Sequence, residues 1–409
     1  MNYRVNFREV TYALSEALDL VGIDDLYHGK RVAFMAAQCG LEAQYDEDMI
    51  SELIYIGMLH DCGVSSTNTH MHLVTELEWK DEQIHSQRGY QLLNKTSLFS
   101  PYAQPVLYHH THWEDLKNLP IDESIKLKAN LIYLVDRVDA LRAQMTSEPE
   151  NRMREEIYRI ISEHRETMFA PQLCELFFQA SARSSFWFYL DNDALEEYLH
   201  EWVIKGESEK ISFAKLKEIA LMFADIVDAK SPFTAEHSFG VASLSLFFAQ
   251  LLGLEQKDVE KIELAALLHD LGKLRVDDNI LNKNGPLTIS EKLILNRHGF
   301  DSEIILRKIN GFKEIAYLAS LHHETLDGKG YPYCLKEKDI PMAARIIMVA
   351  DIFQALIQDR PYREALSAQK AFEIISEMAE EGKVDTLIVS LLQENLEQAY
   401  ISASSSLQR

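Results

Sequence analysis

Long apolar runs are missing from this sequence. No stretch of about 18 consecutive apolar residues occurs, so no membrane-spanning helix is expected. Cysteine is sparse. Cys39, Cys62, Cys174 and Cys334 are scattered and form no C-x-x-C pair, which fits a reduced, cytoplasmic chain. The opening MNYRVNFREV lacks the apolar core of a signal peptide. Positive charge is also in short supply. With 41 Lys and Arg against 64 Asp and Glu, the net charge is −23. Phosphate backbones are held by basic surface, so a nucleic-acid polymer is not an expected partner. A small anionic ligand is not excluded, because local metal ions and a few basic side chains bind phosphate inside an acidic protein. Glycine (16) and proline (10) are few, which suits long helices joined by short loops.

What is present points to helices. The chain has 409 residues, 47% hydrophobic and 26% charged, enough for two or three globular domains. Apolar residues recur at helical spacing over 208–229, 258–272 and 366–382, the last ending on Gly382 where a helix stop belongs. Alternating strand patterns are scarce, so the fold class expected is all-α. The polar KGESEK at 205–210 is the best boundary, with residues 147–207 read as a helical connector between a unit over 1–146 and another over 208–409. The last residues, ISASSSLQR, are expected to fray.

The histidines reveal a repeat. The first half carries His28, the pair His60-Asp61, His85, the pair His109-His110, and Asp136. The second half carries His237, His269-Asp270, His298, His322-His323 and Asp351. From the first His to the His-Asp pair is 32 residues in both copies (28 to 60, 237 to 269), and from the lone His to the His-His pair is 24 in both (85 to 109, 298 to 322). Ten of the 15 histidines are used in this way. Local context agrees, GMLHDCG against ALLHDLG and LIYLVDRVDAL against IIMVADIFQAL. This is the signature of an internal duplication, each copy one helical domain. Imidazole and carboxylate together suit divalent Mn, Fe, Ni or Zn. A lone His is more often structural, but ten buried imidazoles satisfied in matching order are hard to explain without metal. Neighbouring His and Asp lie about 100° apart on a helix, so both can lean into one cleft.

The order His, His-Asp, His, His-His, Asp is similar to the HD phosphohydrolase superfamily. HDLGK (269–273), HHETLDGKGYP (322–332) and ADIFQALIQDRPYR (350–363) resemble the HD-GYP cyclic-dinucleotide phosphodiesterases, over roughly residues 210–400. The first half resembles only the broader superfamily. The resemblance implies two tandem HD-type helical domains, the N-terminal one lacking GYP. It implies two divalent transition-metal ions in the second domain, Fe or Mn. His237, His269, Asp270 and Asp351 would hold one; bridging Asp270 with His298, His322 and His323 would hold the other. Asp270 and Lys273 would be catalytic, Lys273 binding a phosphate oxygen. Gly328 and Gly330 would allow a tight turn that lays Tyr331 and Pro332 against the ligand, and Arg360 and Arg363 would clamp a second phosphate. The activity implied is linearisation of 3′,3′-cGAMP or cyclic di-GMP (c-di-GMP) to a 5′-phosphorylated dinucleotide. The competing class is an adaptor that binds the ring without opening it. A homodimer is compatible with either.

The sequence departs from the family at four places. Gly240 stands where Arg is usual, Gln354 where an acid is usual, Thr325 and Leu326 where Arg and Trp are common, and Phe233 where a Glu for a third ion is found in some members. These put the choice of dinucleotide in question and favour two ions over three.

In the first half, His28, His60, Asp61, His85, His109, His110 and Asp136 keep every ligand position, implying one or two more ions. Val64 stands in the place of Lys273, and EDLKNL (114–119) replaces the glycine loop. Three readings stay open for this half: a 5′-nucleotidase acting on the exposed phosphate, a regulatory metal-bearing domain, or a dimerisation module. Lys30, Arg31 and Arg137 could meet phosphate or be solvated helix charges. His70, His72 and His112 are read as surface positions, and SSFWFYL (184–190) as a core or inter-domain contact before a nucleobase-stacking surface.

Overall fold

The computed structural model describes residues 2–22, 27–64, 66–67, 82–231, 237–359 and 364–404. Among the described residues it is all-α apart from one two-stranded sheet. Its contacts define two compact units, Asn6–Ser208 and Glu209–Arg409, the second also taking Met1–Val5.

The axis of the N-terminal unit is the helix His28–Glu42. Its stretch Val32, Ala33, Phe34, Met35, Ala36, Ala37 has no polar face and is wholly buried. A helix apolar all round must be covered on every side. Helices Glu47–Leu59, Glu123–Gln144, Pro171–Ser181 and Asn192–Ile204 pack on it. The C-terminal unit repeats the plan. Helix His237–Leu251 packs against Gln256–Leu268, Met342–Ile357 and Leu396–Ser404. In each unit, then, the helix begun by the first His lies between the one ending at the His-Asp pair and the one carrying the last Asp.

Three expectations change. The stretch 147–207 belongs to the N-terminal unit and is not a separate connector. Its helices are amphipathic and bury Met153, Ile157 and Ile161, then Leu173 and Phe177, then Leu195 and Trp202. Asn130 pins the segment from within, its amide donating to the Met168 carbonyl and its oxygen accepting from the Ala170 N–H, both at 2.8 Å. The aromatic run behaves as a core contact: Phe186 and Trp187 are buried, with Phe186 5.9 Å from the Phe34 ring. Second, residues Ser208–Ser212 form a strand paired with Asn2–Asn6, and the helix starts only at Phe213, capped by the Ser212 hydroxyl. The strand's partner is about 200 residues away in sequence, a contact that local periodicity does not register. Third, the helix over 258–272 stops at Leu268, and Leu271–Arg275 is a 3₁₀ turn. The helix of 366–382 runs Ala368–Glu380 and ends on Gly382 in the left-handed conformation at φ 71°.

The four cysteines are unpaired. Among the described residues no helix is long and apolar enough to cross a membrane.

Candidate metal centres

The His-Asp pair sits at a helix exit and not within a helix, and that placement does chemical work. His269 is the C-cap of Gln256–Leu268, and His60 that of Glu47–Leu59. The last turn of a helix leaves carbonyls without partners. His269 Nδ1 reaches the Ala266 carbonyl at 2.7 Å and His60 Nδ1 the Gly57 carbonyl at 2.7 Å. The other ends repeat the device: His298 on Leu295 (2.6 Å), His322 on Ala319 (2.7 Å), His109 on Val106 (2.6 Å). A carbonyl only accepts, so each Nδ1 carries the proton and each Nε2 lone pair points inward. The glycine two places after each pair is forced by close approach. A Cβ on Gly272 would lie 2.1 Å from the His298 carbonyl oxygen, and one on Gly63 1.9 Å from that of His85. Without glycine there, the lone His could not come up to the His-Asp pair.

In the C-terminal unit the seven expected positions converge. His237 Nε2 is 3.2 Å from Asp351 Oδ1 and 3.6 Å from Asp270 Oδ2. His269 Nε2 is 3.3 Å from Asp270 Oδ2. On the other side of the same carboxylate, His298 and His322 stand 3.5 and 3.7 Å from Oδ1. His323 Nδ1 is 3.9 Å from Asp351. Asp270 thus faces two groups of nitrogens with its two oxygens. Donor atoms of His237, His269 and Asp351 lie within 4.8 Å of one another, as do those of His298, His322 and His323. Lys273, on the 3₁₀ turn, donates to Asp270 Oδ2 at 2.5 Å.

The N-terminal unit brings its seven together in the same way. His28 Nε2 is 3.1 Å from Asp136, His60 3.4 Å from Asp61 Oδ2, and His85 3.3 Å from Asp61 Oδ1. Asp61, His85, His109 and His110 form one donor group and His28, His60 and Asp136 another.

These donor sets fit divalent ions. His269 Nε2, Asp270 Oδ1, His60 Nε2 and Asp61 Oδ1 are buried and make no hydrogen bond among the described residues. Buried polar atoms are nearly always bonded, and a shared cation would satisfy them together. Burial pushes His298 down to about 3 and His323 to about 4, with the His323 imidazole adding to it for His298, so both rings are neutral at pH 7. His322 and His110 are held well below the ordinary range for the same reasons. Burial alone would raise Asp270, but His269 and Lys273 outweigh it and hold the carboxyl well below its usual value. Asp61 is likewise held well below by its histidines against the penalty of burial.

The surroundings of the two centres differ. A cavity of about 680 Å³ opens onto His323, Asp351 and Tyr331, within the range of small-ligand sites. Lys273, Lys283 and Lys292 line it, with an apolar wall of Ile280, Leu287 and Leu295. Lys283 and Lys292 were not singled out from sequence; they lie in a polar stretch with no motif to mark them. Of the loop 328–332, Tyr331 alone lines this cavity among the described residues, its ring 4.8 Å from His323. Gly328, Gly330 and Pro332 shape the backbone behind it. A Cβ on Gly330 would fall 2.3 Å from the Thr325 nitrogen. Glu324, also unassigned from sequence, is buried beneath the loop and accepts from the Tyr333 and Leu335 N–H groups at 2.6 and 2.8 Å. At the N-terminal centre a cavity of about 20 Å³ is lined by His28, His60, Asp61 and Val64, room for about one water.

The basic residues beside the N-terminal cluster are buried and paired with carboxylates. Lys30 is buried against Glu16 and Asp19 at 2.8 and 3.1 Å. Arg137 bonds Asp136 at 2.8 Å, and Arg31 forks Asp139. Asp139, overlooked in the sequence, lies one helical turn beyond Asp136. His112 stacks on Tyr133 at 6.0 Å. Arg360, Arg363, Phe233, His70 and His72 lie outside the described residues.

Comparison with known proteins follows this geometry. The HD domain family matches residues 25–141 and again 221–388, so two HD domains stand in tandem. A 3′3′-cGAMP-specific phosphodiesterase 1 of Vibrio cholerae is 34% identical over 98% of this chain and 94% of its own length. A cyclic di-GMP phosphodiesterase of Thermotoga maritima is 37% identical over 40% of this chain and 44% of its own. The crystal structure of a cyclic GMP-AMP specific phosphodiesterase of V. cholerae superposes with a TM-score of 0.63 at 25% identity, covering 97% of this chain and 98% of that one. The chain belongs to the HD-domain phosphodiesterases and is a metal-dependent enzyme of that class.

Proposed function

We propose that the C-terminal domain opens the ring of 3′,3′-cGAMP to a linear dinucleotide carrying a 5′-phosphate. The observation that carries this is the 680 Å³ cavity ending on the Asp270 cluster and lined by three lysines in a chain of net charge −23. It suits a small dianion with apolar bases. The relative matched over nearly the whole chain carries cGAMP in its name, which favours the mixed ring over cyclic di-GMP.

In this reading His237, His269, Asp270 and Asp351 would hold one ion, and His298, His322 and His323 with Asp270 would hold the second. Such a pair, when bound, would supply Lewis acidity and a nucleophilic water near neutral pH. Lys273, already at the Asp270 carboxylate, turns its ammonium to a non-bridging oxygen of the reacting phosphate and offsets the charge that builds there. Water oxygen bonds to phosphorus, the bond to the 3′ oxygen breaks, and that oxygen leaves as a hydroxyl. Tyr331 walls the reacting end. Lys283 and Lys292 hold the second phosphate, a role shared with Arg360 and Arg363.

The N-terminal domain is proposed to remove the 5′-phosphate so exposed. Its intact ligand order supports metal binding; the substitution of Val64 for a lysine fits a reaction other than ring opening.

The test is hydrolysis of 3′,3′-cGAMP and cyclic di-GMP side by side by Mn- or Fe-loaded protein, with Asp270→Ala and Asp61→Ala variants. Ring opening of the mixed dinucleotide, lost in Asp270→Ala, is expected. Binding of either ring without turnover by fully metallated wild type would make the protein a receptor.

A further inference from the structure

The two copies differ in how they hold their first histidine. In the N-terminal copy, His28 Nδ1 meets Asp139 Oδ2 at 2.9 Å. Asp139 is itself gripped by Arg31, Nε to Oδ1 at 2.7 Å and a terminal nitrogen to Oδ2 at 2.8 Å. All three are buried. Arg31 lies three residues after His28, and Asp139 three after Asp136. The matching places in the C-terminal copy are Gly240 and Gln354.

There, His237 Nδ1 meets Gln354 Oε1 at 2.5 Å, and Gln354 is 5% exposed. A Cβ on Gly240 would lie 2.8 Å from Gln354 Cγ and 2.4 Å from the Ala403 carbonyl oxygen. The space an arginine would need is therefore taken twice, by the glutamine stem and by the backbone of the last helix. The exchange is a coupled one. Losing the arginine removes the cation that steadies a buried carboxylate, and an unpaired buried carboxylate is costly. A neutral amide, one methylene longer than Asp, reaches the ring without that help.

We propose that Gln354 is a positioning residue for His237, and that its neutral amide gives the C-terminal centre a looser hold on its ion than a carboxylate would. The proposal rests on the metal reading above. An imidazole whose Nδ1–H faces a carboxylate presents a more basic Nε2 to a metal than one facing an amide, and changes to such partners typically move affinity by about 10–100-fold. Arg31 draws on part of the Asp139 charge, but Oδ2 still faces the ring. The residue acts through His237 and does not touch the reacting atoms.

The experiment uses the full chain carrying Asp61→Ala, so that the C-terminal centre is read alone. The protein is loaded with Mn(II), challenged with excess EDTA, and its retained metal measured against time after rapid desalting. Gln354→Glu, which keeps the reach and adds the charge, is expected to slow release about tenfold or more. Gln354→Leu, which removes the acceptor, is expected to speed it. In the Asp270→Ala background, Asp139→Asn is expected to speed release from the N-terminal centre. Equal release rates for wild type and Gln354→Glu would overturn the proposal and leave Gln354 as a filler of the space beside Gly240. If the leucine variant does not fold, the glutamate variant decides. If no variant holds manganese at the start of the challenge, the metal reading fails and takes this inference with it.

Discussion

Asp270 faces nitrogens of both donor groups, His237 and His269 with Oδ2 and His298 and His322 with Oδ1. Asp270→Ala should therefore lower bound metal in that domain and cut ring opening by at least about a thousandfold, the consequence of losing several kcal/mol of charge stabilisation. Metal analysis and steady-state kinetics check it together. The histidines carry a pH signature. In the unfolded chain a histidine takes its proton near about 6.5. Folded and metal-free, His298 takes one only near about 3 and His323 near about 4. Between those values the unfolded state binds more protons, so these two groups make the metal-free fold less stable as pH drops from about 6.5. Ring-nitrogen NMR of metal-free protein at pH 5 should find both neutral. Metal retention should hold from pH 7 to 5 and fail near 4, where protons compete for the same lone pairs. The residues that converge in the two clusters were readable from order and spacing alone. The partners of Lys30 and Arg31 were not, because Glu16, Asp19 and Asp139 meet them only across packed helices.

The 322–335 segment is where an element decides function. Two backbone N–H groups hang on the buried Glu324 carboxylate, and the loop they shape carries Tyr331 to the cavity. Glu324→Ala would leave both part-buried donors without their acceptor, at up to about 1–3 kcal/mol each before relaxation. Urea unfolding should register the loss, and kcat should fall with it. Gly330→Ala should act in the same direction by overpacking against Glu324 and Thr325, typically about 1–3 kcal/mol. Helices were legible because their apolar spacing is local. The strand Ser208–Ser212 was missed because its partner is the chain's first residues. The helix end at Leu268 was missed because the apolar pattern runs on through Leu271 and Leu274, both buried outside the α-helix.

At the scale of the whole molecule, two copies of one design share seven converging His and Asp positions and differ in what surrounds them. If the halves act in sequence, Asp61→Ala should open the ring at wild-type rate while the 5′-phosphorylated linear dinucleotide accumulates; chromatography of the products resolves it from the dephosphorylated form. Chelation should abolish both steps, and Mn(II) or Fe(II) should restore them. By itself the sequence determined the all-α class, the duplication, the two sets of seven His and Asp positions that converge, and the family. Each of these is written in residue identity and spacing, which a helix converts directly into position. The tertiary structure alone decided that residues 147–207 belong to the N-terminal unit, that a lysine-lined cavity serves the second centre and that His28 and His237 have different partners. Those depend on which buried faces meet across long stretches of chain, and burial against a distant partner leaves no local period in the sequence.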